Sequence, residues 1–161
     1  MKFVADSMLG NLARWLRLLG YDTLYFRNAE DWKLLHLAED DERVLLTKDL
    51  GLYRKAVKKG ITSIYIESSD VAESLATLSR KLGIRLMFDK SNTRCPLCNT
   101  LLVVISKAEA LHLIPKDVGR KYENFWKCPK CSKVFWQGNH WDTIGRVINE
   151  ANNLVGGVSS G

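Results

Sequence analysis

The stretch KFVADSMLGNLARWLRLLG, residues 2–20, decides how this chain begins to fold. Residues 3–5 are apolar and predict a short buried strand. From Met8 onward, apolar side chains recur every three or four residues, which is the period of a helix with one buried face. Gly20 is typical of a helix C-terminus, because glycine tolerates the left-handed backbone found there. Between the strand and the helix stands Asp6, whose carboxylate could cap the helix or hold a metal ion.

The same alternation of short apolar segments and helical patterns continues to residue 83. Short apolar strands separated by helices are typical of a parallel sheet with both faces covered and right-handed crossovers. The first part of the chain is therefore predicted to be an α/β domain with a mostly parallel sheet. Strands are predicted at 2–5, 23–26, 44–47 and 63–66, and helices at 8–19, 32–40, 50–59 and 71–82.

Four cysteines follow in two close pairs, CPLC at 95–98 and CPKC at 128–131. Two thiolates separated by two residues reach one ion from a single tight turn, and two such turns complete a tetrahedral zinc site. Two unrelated pairs, or a redox C-x-x-C motif, would not require the duplication. A site closed by four cysteines has no open coordination position, so the zinc would be structural. The predicted Zn²⁺ ligands are Cys95, Cys98, Cys128 and Cys131.

The charge of the chain favours a polyanionic partner. The formal net charge is +6 and the pI is near 9.2. Residues 1–90 carry 15 Lys and Arg against 13 Asp and Glu, whereas residues 91–161 carry 9 against 5. Lys127, Lys130 and Lys133 surround the second cysteine pair beside aromatic residues, a combination that suits phosphate contact and base stacking. The alternative is that the aromatic side chains fill the core of a zinc ribbon and the lysines are solvated.

Several classes of protein find no support in the sequence. Charged residues interrupt the N-terminal apolar run, which is unlike a secretion signal. The longest apolar run, 101–105, is too short to span a membrane. No Walker loop, dinucleotide fingerprint or G-x-S-x-G motif is present. We therefore expect a cytoplasmic protein without a membrane partner, in which paired cysteines favour metal over disulfides.

Three carboxylates of the first domain stand where strands and helices meet. Asp6 and Asp49 each follow a predicted strand, and ligands of parallel sheets bind beyond the carboxyl ends of the strands. If these two strands are neighbours, the two carboxylates lie side by side, where a divalent cation would offset their repulsion. Helix capping is the alternative for both, and it is the favoured interpretation for Asp31. Asp70 is predicted to cap its helix, with Glu73 completing a capping box.

These motifs together resemble one family along almost the whole chain. The resemblance rests on DSMLGNLARWLRLLGYD at residues 6–22, Asp31 before a helix, LTKD at 46–49, and the cysteine pairs followed by GNHW at 138–141. The chain is similar to the PIN-like ribonuclease domain fused to a zinc ribbon, which is also found at the C-terminus of Mut-seven exonucleases.

This resemblance implies an α/β fold: a PIN-like three-layer domain with a mostly parallel sheet, followed by a small zinc ribbon and a C-terminal helix. The expected boundaries are 1–90 for the nuclease domain, 91–139 for the ribbon and 140–153 for the helix. Residues 154–161 are expected to form a disordered tail.

The resemblance also implies a metal-dependent endoribonuclease that hydrolyses phosphodiester bonds of single-stranded RNA. Asp6, Asp31 and Asp49 would be its catalytic residues and would bind Mg²⁺ or Mn²⁺. Weaker candidates for a fourth acid are Asp22, Asp70 and Asp89. A non-catalytic RNA- or ribosome-binding module, and a toxin-like nuclease controlled by a protein partner, remain alternatives.

Six basic residues are candidates for binding the substrate. Arg14, Arg17 and Lys48 lie close in sequence to the acids and could contact substrate phosphate, although the two arginines could equally pair with carboxylates structurally. The remaining three are lysines around the second cysteine pair, which would hold RNA near the site without reading base edges. These lysines are Lys127, Lys130 and Lys133.

Overall fold

A computed structural model of the protein describes residues 1–157. Their strands are β1 (Lys2–Ala5), β2 (Asp22–Tyr25), β3 (Val44–Thr47), β4 (Ser63–Tyr65), β5 (Val103–Ile105), β6 (Phe125–Lys127) and β7 (Val134–Trp136). The first four strands form a parallel sheet in the order β2-β1-β3-β4, and the last three form an antiparallel sheet in the order β5-β6-β7. The predicted α/β fold with a parallel sheet is confirmed.

The helices are α1 (Gly10–Leu18), α2 (Asp31–Asp40), α3 (Leu50–Lys58), α4 (Val71–Leu82), α5 (Lys107–Ala110), α6 (Lys116–Lys121) and α7 (Trp141–Gly156), with a 3-10 turn (Ser7–Leu9) before α1. The elements predicted up to residue 83 agree with these bounds to within two residues. The sequence did not predict β6, α5 or α6, which are too short to show a period. No helix within residues 1–157 is long and apolar enough to cross a membrane.

Helices cover both faces of the parallel sheet and produce three layers. Phe3 of β1 packs among residues of α1, α4 and α7, whereas the next residue, Val4, packs among residues of α2 and α3. This follows from the alternation of side chains along a strand. The connection from β1 to β2 lies on one face, and the connection from β2 back across β1 to β3 lies on the other. Right-handed crossovers require this change of face.

The C-terminal helix completes the first of these layers. Helix α7 lies against α4, and its half-buried Leu154 packs on the same core as Phe3. Arg80 of α4 donates from Nη1 to the carbonyl oxygen of Leu154 at 3.1 Å. Because of these contacts, the helix runs to Gly156 and includes the first residues of the segment predicted to be a tail. The end of that segment, 158–161, lies outside the described residues.

The segment that leads to the cysteines is fixed against the end of α1. Gly20 has φ +93°, and a side chain there would place its Cβ 2.4 Å from the carbonyl oxygen of Asn92. Glycine is therefore required both by the backbone conformation and by the close approach. The hydroxyl of Thr93 donates to the carbonyl oxygen of Leu18 at 2.7 Å. The second sheet is thus anchored to the helix that follows β1.

Candidate active site and metal centre

Asp6 is buried at the carboxyl end of β1, with 6% of its surface exposed. Its Oδ1 accepts the backbone N–H of Met8 at 2.9 Å, so the side chain caps the 3-10 turn. Its Oδ2 accepts from the hydroxyl of Thr47 at 2.5 Å and from the backbone N–H of Lys48 at 2.9 Å. Three donors on one carboxylate hold it in a single orientation.

Asp49 joins this site through Thr47. Strand β1 pairs with β3, so the two strands that precede Asp6 and Asp49 are neighbours, as the metal-site hypothesis required. The Thr47 hydroxyl that donates to Asp6 also accepts the backbone N–H of Asp49 at 2.9 Å. Asp49 itself is exposed and caps α3 by accepting the N–H of Leu52 at 3.2 Å. Capping is therefore real for both acids and leaves Asp49 accessible to solvent.

This edge of the sheet is where a parallel α/β fold binds ligands. The chain moves from β1 to β2 on one side and then returns past β1 to β3, so the strand order reverses between β1 and β3. The crevice beyond the carboxyl ends of strands at such a reversal is the usual ligand site. Thr47, which the sequence analysis did not select, is the link between the two acids. Its position two residues before an acid was the signal, because threonine hydroxyls commonly bond nearby backbone groups.

Asp31 does not occupy the N-cap position that the sequence predicted for it. The N-cap of α2 is Glu30, whose side chain makes no capping bond, and Asp31 is the first residue inside the helix. The favoured capping role for Asp31 is therefore wrong, because the chain enters the helix one residue earlier. Its Oδ2 lies 3.3 Å from Nζ of Lys55 on α3, in an exposed ion pair. Asp31 thus faces a cation of α3, and Thr47 does not connect it to the other two acids.

Asp22, a weaker candidate for a fourth acid, lies at the wrong end of the sheet. It is the first residue of β2 and pairs in register with Lys2, whereas Asp6 lies beyond the last residue of β1. Its Oδ1 accepts from Arg43 Nη1 at 2.8 Å and from Asn99 Nδ2 at 2.7 Å. Burial disfavours the charged form, but these two donors outweigh it and lower the pKa of the Asp22 carboxyl. The role of Asp22 is structural.

The two remaining weaker candidates also have local structural roles. Asp70 caps α4 by accepting the N–H of Glu73 at 3.1 Å, as predicted. The return bond of the capping box passes through Ser68, whose hydroxyl bonds both the Asp70 N–H and the Glu73 carboxylate. Asp89 accepts the N–H of Ser91 at 2.9 Å within a turn. These bonds give no sign that either acid completes the site.

Among the basic candidates in the first domain, Arg17 is not available to a substrate. It is 7% exposed, and its Nε donates to the carbonyl oxygen of Thr23 at 2.9 Å. Its Nη1 donates to the carbonyl oxygen of Pro96 at 2.7 Å, in the first cysteine turn. Burial lowers the pKa of this guanidinium. The substrate-binding expectation for Arg17 is therefore replaced by a structural role.

Arg14 and Lys48 remain accessible. Arg14 is exposed on α1, three residues before the buried Arg17. Lys48 is half-buried beside the acids, and its Nζ donates to the carbonyl oxygen of Glu67 at 3.2 Å while its backbone N–H bonds Asp6. A cation next to two carboxylates is suitably placed for an incoming phosphate.

The four cysteines form a cluster that fits a zinc ion. Within residues 1–157, it is the one set of three or more Cys, His, Asp or Glu whose ligand atoms lie within 4.8 Å of one another. The Sγ atoms of Cys95 and Cys131 lie 3.7 Å apart, and those of Cys98 and Cys128 lie 3.4 Å apart. A tetrahedron with Zn–S bonds of about 2.3 Å has S–S edges of about 3.8 Å. The three aspartates form no comparable set, so they are not a preassembled cage.

The two cysteine turns share one conformation. Asn99 and Ser132, each directly after the second cysteine of a pair, have φ of 71° and 64°. Burial raises the pKa of the Cys95 thiol to about 12, whereas a hydrogen bond with Thr100 lowers the pKa of Cys98 to about 6. Asn99 also reaches the first domain, since its Oδ1 accepts the N–H of Thr23 at 3.0 Å. The first turn therefore covers the edge strand β2.

A comparison with protein families gives a match to the Mut7-C RNAse domain over residues 1–148. The match includes both sheets, Asp6, Asp49 and the four cysteines. The chain belongs to the Mut7-C RNAse domain family. Comparisons with curated proteins and with solved structures found no match.

Membership of the Mut7-C RNAse domain family indicates a ribonuclease-type function and RNA as the substrate. The lysines around the second cysteine pair suit that substrate, because Lys130 and Lys133 are exposed and Lys127 is half-buried.

The aromatic residues near the second cysteine pair differ in burial. Trp126 is 2% exposed, so its interpretation as a core residue is correct. Phe135 and Trp136 are only half-buried, and both line an open cavity.

Proposed function

We propose that this Mut7-C RNAse domain is a Mg²⁺- or Mn²⁺-dependent endoribonuclease that hydrolyses phosphodiester bonds of single-stranded RNA. The supporting observation is the pair of acids at the reversal between β1 and β3. Asp6 is buried and held by three donors, and Asp49 is exposed and joined to it through Thr47. This combination provides one rigid and one accessible carboxylate at the edge where the fold binds ligands.

The chemistry of these residues fits a hard divalent cation. Carboxylate oxygens are the ligands that Mg²⁺ prefers, and it keeps several waters, so an incomplete protein cage is acceptable. Asp6 and Asp49 would hold the ion, and Asp31 would act as a further ligand or orient the attacking water. When bound, the ion would lower the pKa of its water and stabilise charge on the phosphate.

The other residues of the site would act on the RNA backbone. Lys48 offers positive charge beside the acids for the scissile phosphate, and the exposed Arg14 offers it on helix α1 for a neighbouring phosphate. In this proposal residues 1–90 carry the reaction. Residues 91–139, with a structural Zn²⁺ in the cysteine cluster, hold RNA through the exposed Lys130 and Lys133 and the half-buried Lys127.

The test is cleavage of a labelled single-stranded RNA with Mg²⁺ or Mn²⁺ by the wild-type protein and by Asp49→Asn. Asn is as good a helix N-cap as Asp, so this variant should remain folded. We expect its rate to fall on the order of 100-fold or more, because several kcal/mol of transition-state stabilisation depend on the ion. Asp117→Asn is the matched control, since it makes the same change at an exposed position in the first turn of α6.

Three outcomes separate the alternatives. Equal cleavage by wild type and Asp49→Asn would identify a contaminating nuclease and overturn the proposal. Salt-sensitive RNA binding without metal-dependent products would instead support the non-catalytic binding module. A circular single-stranded RNA has no ends, so its conversion to a linear product would establish endonucleolytic cleavage, and a duplex of the same sequence tests the strand preference.

A further inference from the structure

An aromatic cavity of about 360 Å³ lies between the second sheet, the start of α7 and the end of α1. Its volume is within the roughly 300–1,000 Å³ range of small-molecule sites. Most of its wall is apolar, and the side chains that matter here are Leu18, Trp126, Phe135, Trp136, Trp141 and Ile144. Helix α1 has nine residues and is about 13 Å long, with Leu18 at the cavity, and the 3-10 turn that Asp6 caps precedes its other end. The cavity is therefore separate from the acids but connected to them along α1.

One aromatic ring of the cavity wall is held firmly by its neighbours. Trp141 lines the cavity with part of its ring, whereas its Nε1 is buried and has no hydrogen-bond partner. The ring is held in place by Trp126, stacked at 6.0 Å and 17°, and by Phe88 at 4.4 Å. The Trp141 ring is thus held in a fixed position in the cavity wall.

The surroundings of the cavity favour an anionic ligand with a flat ring. His140 is exposed and contributes to the wall, as does Arg94. Lys133 is exposed next to Val134, another wall residue. A nucleobase has two apolar faces for aromatic stacking, and the phosphates attached to it are anions that basic side chains attract.

We propose that this cavity binds one nucleobase of a single-stranded RNA and thereby holds the strand along α1 toward the acids. The inference rests on the proposed function only in taking RNA as the ligand. It adds a site for a base, distinct from the phosphate contacts of the lysines. The site would make binding depend on the bases as well as on the backbone.

The first experiment uses the unmodified, zinc-loaded chain without added Mg²⁺ or Mn²⁺. Binding of a labelled single-stranded RNA is compared with binding of an abasic strand that has the same phosphates. Base stacking on aromatic side chains contributes enough that we expect affinity for the abasic strand to be roughly 5- to 150-fold lower. Equal affinities would overturn the proposal, because phosphate contacts alone would then explain binding. This comparison requires no mutant.

The second experiment fills the cavity. Ile144→Trp adds an indole to the wall on α7, and we expect it to remove most of the preference for the base-containing strand. Val103→Trp is the matched control, because Val103 is 52% exposed and pairs with Lys127. The cavity residue Trp126 pairs instead with Val104, the next residue of β5. Melting temperatures establish that both variants are folded. If both bind the two strands as the wild type does, a nucleobase does not occupy the cavity.

These results are independent of cleavage. A chain that distinguishes base-containing from abasic RNA but never cuts RNA would support the cavity and contradict the proposed nuclease activity. A chain that cuts RNA with Mg²⁺ but binds both strands equally would support the nuclease and overturn the base site.

Discussion

Replacing Asp6 with asparagine changes a side chain that accepts three hydrogen bonds while 6% exposed. If the amide oxygen takes the place of Oδ2, it keeps the bonds from Thr47 and Lys48, but the NH₂ group then faces the N–H of Met8. The opposite orientation directs the NH₂ group at the N–H of Lys48. One buried N–H therefore loses its acceptor in either case, and the charge that strengthened the other bonds is lost.

The expected cost is about 2 kcal/mol of the free energy of unfolding, since an unsatisfied buried group costs about 1–3 kcal/mol. For a chain of this length the corresponding fall in melting temperature is about 4–8 °C. Asp49→Asn should change the melting temperature little, because Asp49 is exposed and Asn caps helices as well as Asp does. The two variants therefore make the same chemical change in two different environments.

Thermal unfolding by circular dichroism, without added divalent cation, measures this difference. Omitting the cation matters because a bound ion would itself raise the melting temperature of the wild type. The opposing expectation is that removing a carboxylate from a pair of acids relieves repulsion and stabilises the fold. If Asp6→Asn melts at or above the wild-type temperature, repulsion outweighs the hydrogen bonds and the reasoning from their geometry is refuted.

Two further predictions concern the zinc cluster and the acid sensitivity of the fold. Metal analysis should find one zinc per chain. Because structural zinc contributes directly to folding, a chelator should disrupt the second sheet and change the fluorescence of Trp126. An unchanged fluorescence spectrum after chelation would argue against zinc. The pKa of Asp22 is lower in the folded chain than in the unfolded chain, where it is about 3.9. The ionised carboxylate therefore stabilises the fold at any pH above the unfolded-state pKa, and this stabilisation is lost as the pH falls through the folded-state pKa. Urea unfolding between pH 5 and pH 2 should show a shallower decline for Asp22→Asn than for wild type, and identical slopes would mean that Arg43 and Asn99 do not shift this carboxyl.

Features that depend on neighbouring residues were predictable from the sequence. The apolar segments and helical periods identified eight elements before residue 83, because burial on one or both faces imposes these patterns locally. The capping role of Asp70 also follows from residues close in sequence. The cysteine spacing predicted one cluster, since each pair forms its own turn.

Features that depend on which strands and helices become neighbours required the tertiary structure. Periodicity does not give strand order, so only the pairing of β1 with β3 brings Asp6 to the hydroxyl of Thr47. The same limit explains Arg17, for which the sequence left phosphate contact and a structural role equally open; β2 and the first cysteine turn decide for the structural role.

The sequence by itself determined that the chain forms a parallel α/β unit followed by a four-cysteine cluster, because these depend on short-range patterns of burial and spacing. Only the tertiary structure decided which acids share an edge, that Asp22 lies at the opposite one, and that Leu18, Trp126 and Trp141 meet in the wall of an aromatic cavity. The physical reason is that hydrogen-bond partners distant in the chain are selected by packing, which no local pattern encodes.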